Sequence, residues 1–422
     1  MIARLQQPSR SDFARGVAML SGGQIVTMAL PILAAPVLGR LYSPADYGFL
    51  ALYMSVASVL AVTVTLQYHM AIIAEPGARQ ARALVYLCII LAAIFAVPAA
   101  LGAWMLWATW LDAPVYHAAR GWIALLPFSV LLNGLIAGTA TLGNRHKRYK
   151  ALATIPVISI CANLSISLFL GFLGWGVHGL FLSYLAGQLA QALAYGRLWI
   201  ALAGRPRLPG LVRLRVLARR HRNFPRYSLP GAFLSNVNMQ LPVFALGAIG
   251  AADTLGQFSR ARQLVSMPIT LFGSAVAKVY RQEGAERYRQ TGSCKPLLLR
   301  TAGVLFFAGI LPCLGFMTVA PQLFALYLGE PWSEAGVLAQ ILAPMLLLRM
   351  VSSPIATTFF FTGHQRLSFL LSLVSTLMVG GALLAALLLA LPVQQIVMAY
   401  SAATATVYVL YFLFALRISR KR

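Results

Sequence analysis

Apolar windows of about 20 residues recur twelve times along this chain, and that repetition limits what it can become. The windows fall at 16–39, 49–72, 84–108, 121–142, 151–172, 177–200, 228–248, 255–278, 299–320, 336–361, 368–390 and 394–416. In hydrocarbon each backbone polar group must be satisfied within its own segment, so such windows become helices. Composition agrees: 59% of the residues are hydrophobic and 10% charged, where soluble domains carry roughly 25% charged residues. The reading is an all-α polytopic membrane protein with twelve transmembrane helices.

The charge balance, 34 Lys+Arg against 9 Asp+Glu, would suggest nucleic acid in a soluble chain. Here it follows the positive-inside rule and implies no nucleic-acid partner. With the N-terminus cytoplasmic, the inside segments hold Arg4, Arg10, Arg15, Arg79, Arg82, the Arg145–Lys150 cluster, residues 201–227, the Lys278–Arg300 loop, Arg366 and the basic tail. The outside turns hold Arg40 and Arg120 and five acids: Asp46, Asp112, Asp253, Glu330 and Glu334. Both termini are therefore expected in the cytoplasm. The basic N-terminus reads as the start of an uncleaved first helix. No outside loop is long enough for a catalytic domain, which needs roughly 50 residues or more, so the chain does not read as an enzyme. Cys88, Cys161, Cys294 and Cys313 form no metal-ligand or disulfide spacing, and neither a metal nor a cofactor is expected.

The longest loop divides the windows into six plus six. The expected organisation is an N-terminal lobe (1–203), a basic cytoplasmic linker (204–227) and a C-terminal lobe (228–422). The linker holds eight arginines and no acid; Leu211, Leu214 and Leu217 recur in it at helical spacing. That pattern suits either a basic amphipathic helix on anionic membrane lipids or a solvated connection. The halves echo each other: Gly39 and Gly48 flank a turn containing Asp46, and Gly247 and Gly256 flank one containing Asp253 at the same spacing. A duplicated transporter places its site between repeats near the midplane.

Cations inside the windows are the candidate site. Arg260 and Arg262 lie two positions apart, about 200° around a helix. Arg260 continues through Gln263, Met267, Thr270 and Ser274, a polar stripe; Arg262 continues through Val265, Ile269 and Val276, an apolar one. Arg260 is thus expected in a lumen, and Arg262 at an interface. Arg349 sits mid-window with Ser352, Ser353 and Thr357 on its face; it meets either a wet cavity or backbone carbonyls near Pro354. Arg15, at the mouth of the first window, can meet an incoming anion or set topology. Gln24, Asn163, Asn236 and Gln240 supply amides for cavity walls or for bonds between helices. No acid falls within a window, whereas a cation exporter would be expected to carry intramembrane carboxylates. Arginines among amides and hydroxyls suit an anionic, polyhydroxylated cargo held by charge-assisted bonds.

Several runs resemble one family. They are A-P-V-L-G-R-L-Y-S-P-A-D-Y-G-F-L-A-L at 35–52, F-P-R-Y-S-L-P-G-A-F-L-S-N at 224–236, L-V-S-M-P-I-T-L-F-G-S-A at 264–275 and F-A-L-Y-L-G-E-P-W-S-E-A-G at 324–336. On these the chain resembles the oligosaccharide flippases of the polysaccharide transporter (Wzx-like) family in the MATE/MOP superfamily. The resemblance implies two six-helix lobes in a V around a cationic cavity. It also implies a polyprenyl-diphosphate-linked oligosaccharide (an O-antigen, capsule or exopolysaccharide unit) carried across a bacterial inner membrane by alternating access. A polysaccharide polymerase and a chain-length regulator would be its partners. Relatives often place an arginine five residues before the proline here numbered 268; this chain has Gln263. The alternatives are a MATE-type cation exporter and a membrane polymerase or ligase of the same glycan pathway.

Overall fold

The computed structural model describes residues 10–109, 120–203, 209–250 and 252–420, with the side chains of residues 10–18, 106–109, 120, 203, 268, 271, 272, 274 and 275 outside the description. In chain order the helices are α1 (Arg10–Leu41), α2 (Pro44–Thr63), α3 (Tyr68–Ala74), α4 (Ala78–Thr109), α5 (Arg120–Ile123), α6 (Leu126–Arg145), α7 (Tyr149–Phe172) and α8 (Gly176–Ala203). They continue with α9 (Leu211–Arg220), α10 (Leu229–Ala248), α11 (Ala252–Thr291), α12 (Lys295–Leu328), α13 (Ser333–Ile355), α14 (Thr358–Phe361), α15 (Gln365–Leu388) and α16 (Val393–Ile418). No strand forms among the described residues. Among the described residues, nine segments are long and apolar enough to cross a membrane. Three further long helices, α8, α10 and α11, fall outside that set; they carry the amides Gln188, Asn236 and Gln240 and the arginines Arg260 and Arg262. Leu33, Phe172, Phe307, Leu311 and Leu388 are each at least 72% exposed. Apolar surface on that scale belongs against lipid, so the chain is a membrane protein.

One window and one loop differ from their expected form. The second breaks at residues 64–67, where Leu66 and Gln67 adopt φ of 46° and 62°. The Gln67 amide donates to the Val62 carbonyl at 3.2 Å, and the Thr65 hydroxyl meets His69 Nδ1 at 2.8 Å, so local side chains satisfy the broken ladder. The Lys278–Arg300 segment, expected as a loop, is helical on both sides of a short turn: α11 runs to Thr291 and α12 starts at Lys295. At 40 residues, α11 is about 60 Å long, twice a bilayer's hydrocarbon thickness. Its charged end is supported by side-chain bonds one turn apart, such as Gln290 to Glu286 at 3.2 Å.

The chain forms two compact units. One comprises residues up to Leu41 with Val56–Ala232; the other comprises Tyr42–Ser55 with Phe233–Arg422. The start of α2 therefore packs with the second unit.

In the first unit, Tyr68, Ile72, Leu84, Cys88, Leu142 and Trp199 form a core that also takes Leu214 and Leu217 from α9. Glu75, 1% exposed, is the one buried acid among the described residues. His221 Nε2 lies 2.7 Å and Arg220 Nη1 3.3 Å from its carboxylate, and the Tyr68 hydroxyl donates to the Ala218 carbonyl at 3.1 Å. Arg145 donates to the carbonyls of Ile72 (2.9 Å), Glu75 and Pro76 (3.0 Å), closing the C-terminal end of α3. Glu75→Ala removes the acceptor for a partly buried histidine and should cost about 1–3 kcal/mol. The check is a lower thermal midpoint with faster proteolysis near residues 209–222.

In the second unit α13 is central: 67% of its membrane window is buried, against at most 39% for any other. It packs against α11, α12 and α16. Where α2 and α11 begin, two glycines permit backbone contact. A Cβ on Gly48 would lie 1.8 Å from the Ala252 carbonyl oxygen, and one on Gly256 would lie 1.7 Å from the Pro44 carbonyl oxygen. Nearby, Gln257 donates to the Pro331 carbonyl (2.6 Å) and accepts from the Ala335 amide (3.0 Å), fixing the α12–α13 turn.

Candidate functional site

A polar cavity of about 660 Å³ lies within the second unit, walled by α10, α11, α13, α15 and α16. Helical spacing assembles it. α11 contributes Ser259, Arg262, Gln263, Ser266, Met267 and Thr270 at i, i+3, i+4, i+7, i+8 and i+11. α15 contributes Ser368, Ser372 and Ser375; α16 contributes Tyr400, Thr404, Tyr408 and Tyr411. α13 supplies Arg349 with Ser352 and Ser353. Two guanidiniums therefore face hydroxyls and amides, with no acid among the lining residues.

Part of the wall is tied and part is open. Arg262 Nη1 donates to the Met239 carbonyl at 2.9 Å, which aims its guanidinium along the α10 wall. Its guanidinium carbon also lies 5.5 Å from the Phe258 ring centroid. Asn238 Nδ2 donates to Ser375 Oγ (2.8 Å), Ser352 Oγ to the Tyr408 carbonyl (2.9 Å), and Ser372 Oγ pairs with the Tyr411 hydroxyl (3.0 Å). Ser259 Oγ, Ser266 Oγ, Thr404 Oγ1 and Asn238 Oδ1 are buried with no protein partner. Buried polar atoms are normally satisfied, so these four add unmet hydrogen-bonding capacity to the helices that wall the cavity. Arg349, half-buried, makes no hydrogen bond or ion pair with a described residue, leaving its planar fork available to an anion.

The residues expected in one lumen are placed as follows. Arg349 and Gln263 line the cavity. The two α11 arginines exchange their expected places: Arg262 lines the cavity and Arg260 does not. Arg260 is 6% exposed, with its guanidinium 3.7 Å from the Tyr47 ring centroid and Nη1 donating to Gln263 Oε1 at 3.0 Å. The Tyr47 ring in turn stands edge-on to Trp332 at 5.5 Å. The reason lies in the hydroxyls. Ser259 and Ser266 flank Arg262 at i−3 and i+4 and extend the polar stripe to it. Arg260, on the far edge of that stripe, meets an aromatic ring from α2.

Gln240 accepts from Ser55 Oγ at 3.0 Å, and Asn236 lies on α10 outside the cavity lining. Both belong to the second unit. In the first unit, Asn163 packs beside Gly187, where Ser159 Oγ donates to the Gly187 carbonyl at 2.8 Å. Gln24 is exposed on α1, its carbonyl accepting from Thr27 at 2.9 Å. The Arg15 and Ser274 side chains lie outside the described residues. The hydroxyls of α15 and α16 were missed, although Ser368/Ser372/Ser375 and Tyr400/Thr404/Tyr408/Tyr411 recur at helical spacing.

A search of curated proteins finds no match. Solved structures share the fold. The lipid II flippase MurJ in an inward closed conformation superposes with TM-score 0.70 at 12% identity, covering 95% of this chain and 87% of that one. An inward-facing multidrug resistance MATE family transporter of the MOP superfamily gives 0.65 at 18% identity, covering 94% and 98%. A MOP superfamily transporter from Pyrococcus furiosus Vc1 (DSM3638), described with a binding pocket of reverse polarity, gives 0.60 at 17% identity, covering 96% and 95%. Residues 37–337, most of the chain, match the family of polysaccharide biosynthesis proteins. The chain therefore belongs to the polysaccharide biosynthesis protein family and carries the fold of the MOP superfamily.

Proposed function

We propose that this protein is a flippase that moves a polyprenyl-diphosphate-linked oligosaccharide from the inner to the outer leaflet of a bacterial inner membrane by alternating access. In this reading twelve helices cross the membrane, both termini are cytoplasmic, and the chain makes or breaks no covalent bond. A polysaccharide polymerase and a chain-length regulator are its proposed partners downstream.

The observation that carries the reading is the sign and texture of the cavity: Arg262 and Arg349, no acid, and a wall of hydroxyls. Arginine forks hold phosphate oxygens bidentately, while Ser, Thr, Tyr and Asn exchange hydrogen bonds with sugar hydroxyls. A volume of about 660 Å³ falls in the usual range for ligand pockets, about 300–1,000 Å³. A lining without carboxylates gives an organic cation no counter-charge. Reverse pocket polarity described for the Pyrococcus furiosus transporter is a precedent for one fold with differently charged pockets.

Sealed vesicles containing the purified protein test this. A lipid-linked oligosaccharide should cross between leaflets, faster when the receiving side is positive, by ~2.3 kcal/mol of driving force per charge per 100 mV. Efflux of an organic cation without lipid movement would replace this reading with an exporter. A change in glycan chain length made by the protein alone would replace it with a polymerase or ligase.

A further inference from the structure

We propose that the outer face of α9 docks on the anionic phospholipid headgroups of the leaflet beside it. This inference is independent of the cargo. The inner face of α9 is committed: Leu214 and Leu217 are 5% and 3% exposed within the first unit's core. The helix end is tied by Glu75 to Arg220 and His221. Its orientation is therefore fixed, and so is the face it turns outward.

That outer face has an unusual composition. Val212 and Val216, 79% and 59% exposed, sit about 200° from Leu214, on the side turned away from the core. Exposed Arg215 and Arg219 alternate with them at i+3 and i+7, and exposed Arg213 flanks the stripe. Beyond α9 the pattern continues through Arg222, Arg226 and Tyr227, the last 66% exposed, directly into α10. A helix back facing water would be polar throughout. Exposed aliphatics with arginines on both shoulders match a surface that is apolar beneath and anionic at its rim. Glu75 is buried and paired with Arg220 and His221, and among the described residues no acid forms an ion pair with Arg213, Arg215 or Arg219.

The test uses the full chain with Cys161→Ser and Val216→Cys, an environment-sensitive fluorophore on the new thiol, and vesicles of phosphatidylcholine with or without phosphatidylglycerol. Adding phosphatidylglycerol should shift the emission to the blue and reduce quenching by aqueous iodide several-fold. High salt, or Arg213→Gln with Arg215→Gln and Arg219→Gln, should abolish both changes while leaving the thermal midpoint in place. Equal iodide quenching in the two lipid mixtures would overturn the proposal, whether position 216 stays wet in both, as expected for a face reserved for a protein partner, or dry in both.

Discussion

Replacing Gly48 or Gly256 with alanine should give the largest loss of any single methyl group in the molecule. At each position the new Cβ would lie under 2 Å from a carbonyl oxygen, 1.8 Å from Ala252 and 1.7 Å from Pro44. Backbone cannot rotate away as a side chain can, so the starts of α2 and α11 must separate. Overpacking of this kind typically costs ~1–3 kcal/mol, about a 5- to 150-fold shift away from the crossed arrangement. Hydrogen exchange should accelerate in peptides covering 44–56 and 252–262, the thermal midpoint should fall, and transport should fall with it. The double variant should cost less than the sum of the singles, because separation forced by one methyl makes room for the other. Unchanged exchange and melting in both singles would show that the helices already stand further apart than described.

The second large effect concerns Arg262 and Arg349. Each should cost about 10- to 100-fold in transport when changed to alanine, the equivalent of losing a charge-assisted hydrogen bond of ~1.5–3 kcal/mol. Lysine at position 349 should recover part of the activity, since it keeps the charge and loses the fork. Arg260→Met is the control. It removes a cation–π contact on Tyr47 worth ~0.5–2 kcal/mol, so it should lower stability more than activity per folded molecule. Transport that survives in Arg262→Ala and Arg349→Ala but fails in Arg260→Met would return the site to the Tyr47 side of α11.

The membrane character and most helix positions were legible because a lipid-spanning helix needs about 20 apolar residues whatever its neighbours. The break at 64–67 was not, since it depends on Gln67 and Thr65 satisfying backbone and side-chain groups locally, which apolar windows do not register. The helical run of α11 past Lys278 was lost for the opposite reason: charge was read as loop. Within the cavity, Arg349 and Gln263 were legible from position and period. The choice between Arg260 and Arg262 was not, because both border the same stripe. Arg260 turns to Tyr47, a ring from a helix remote in sequence, which the pattern of α11 alone does not register. Counting serines as stripe members would have moved the boundary to Arg262.

The glycine crossing resembles the contact a homodimer makes across its two-fold axis, folded into a single chain. Pro44 and Ala252, and Gly48 and Gly256, are partners under one constant offset of 208 residues, and each contact is returned by its mate. The same offset carries Tyr47 to Leu255 and Arg260 to Leu52. On one side, then, stands a cation against a ring; on the other stand two leucines, both approaching Gly247. The geometry has stayed self-complementary while the polarity has not. The two helix starts thus match in their backbone contacts and differ in polarity, a buried positive charge on one flank and hydrocarbon on the other.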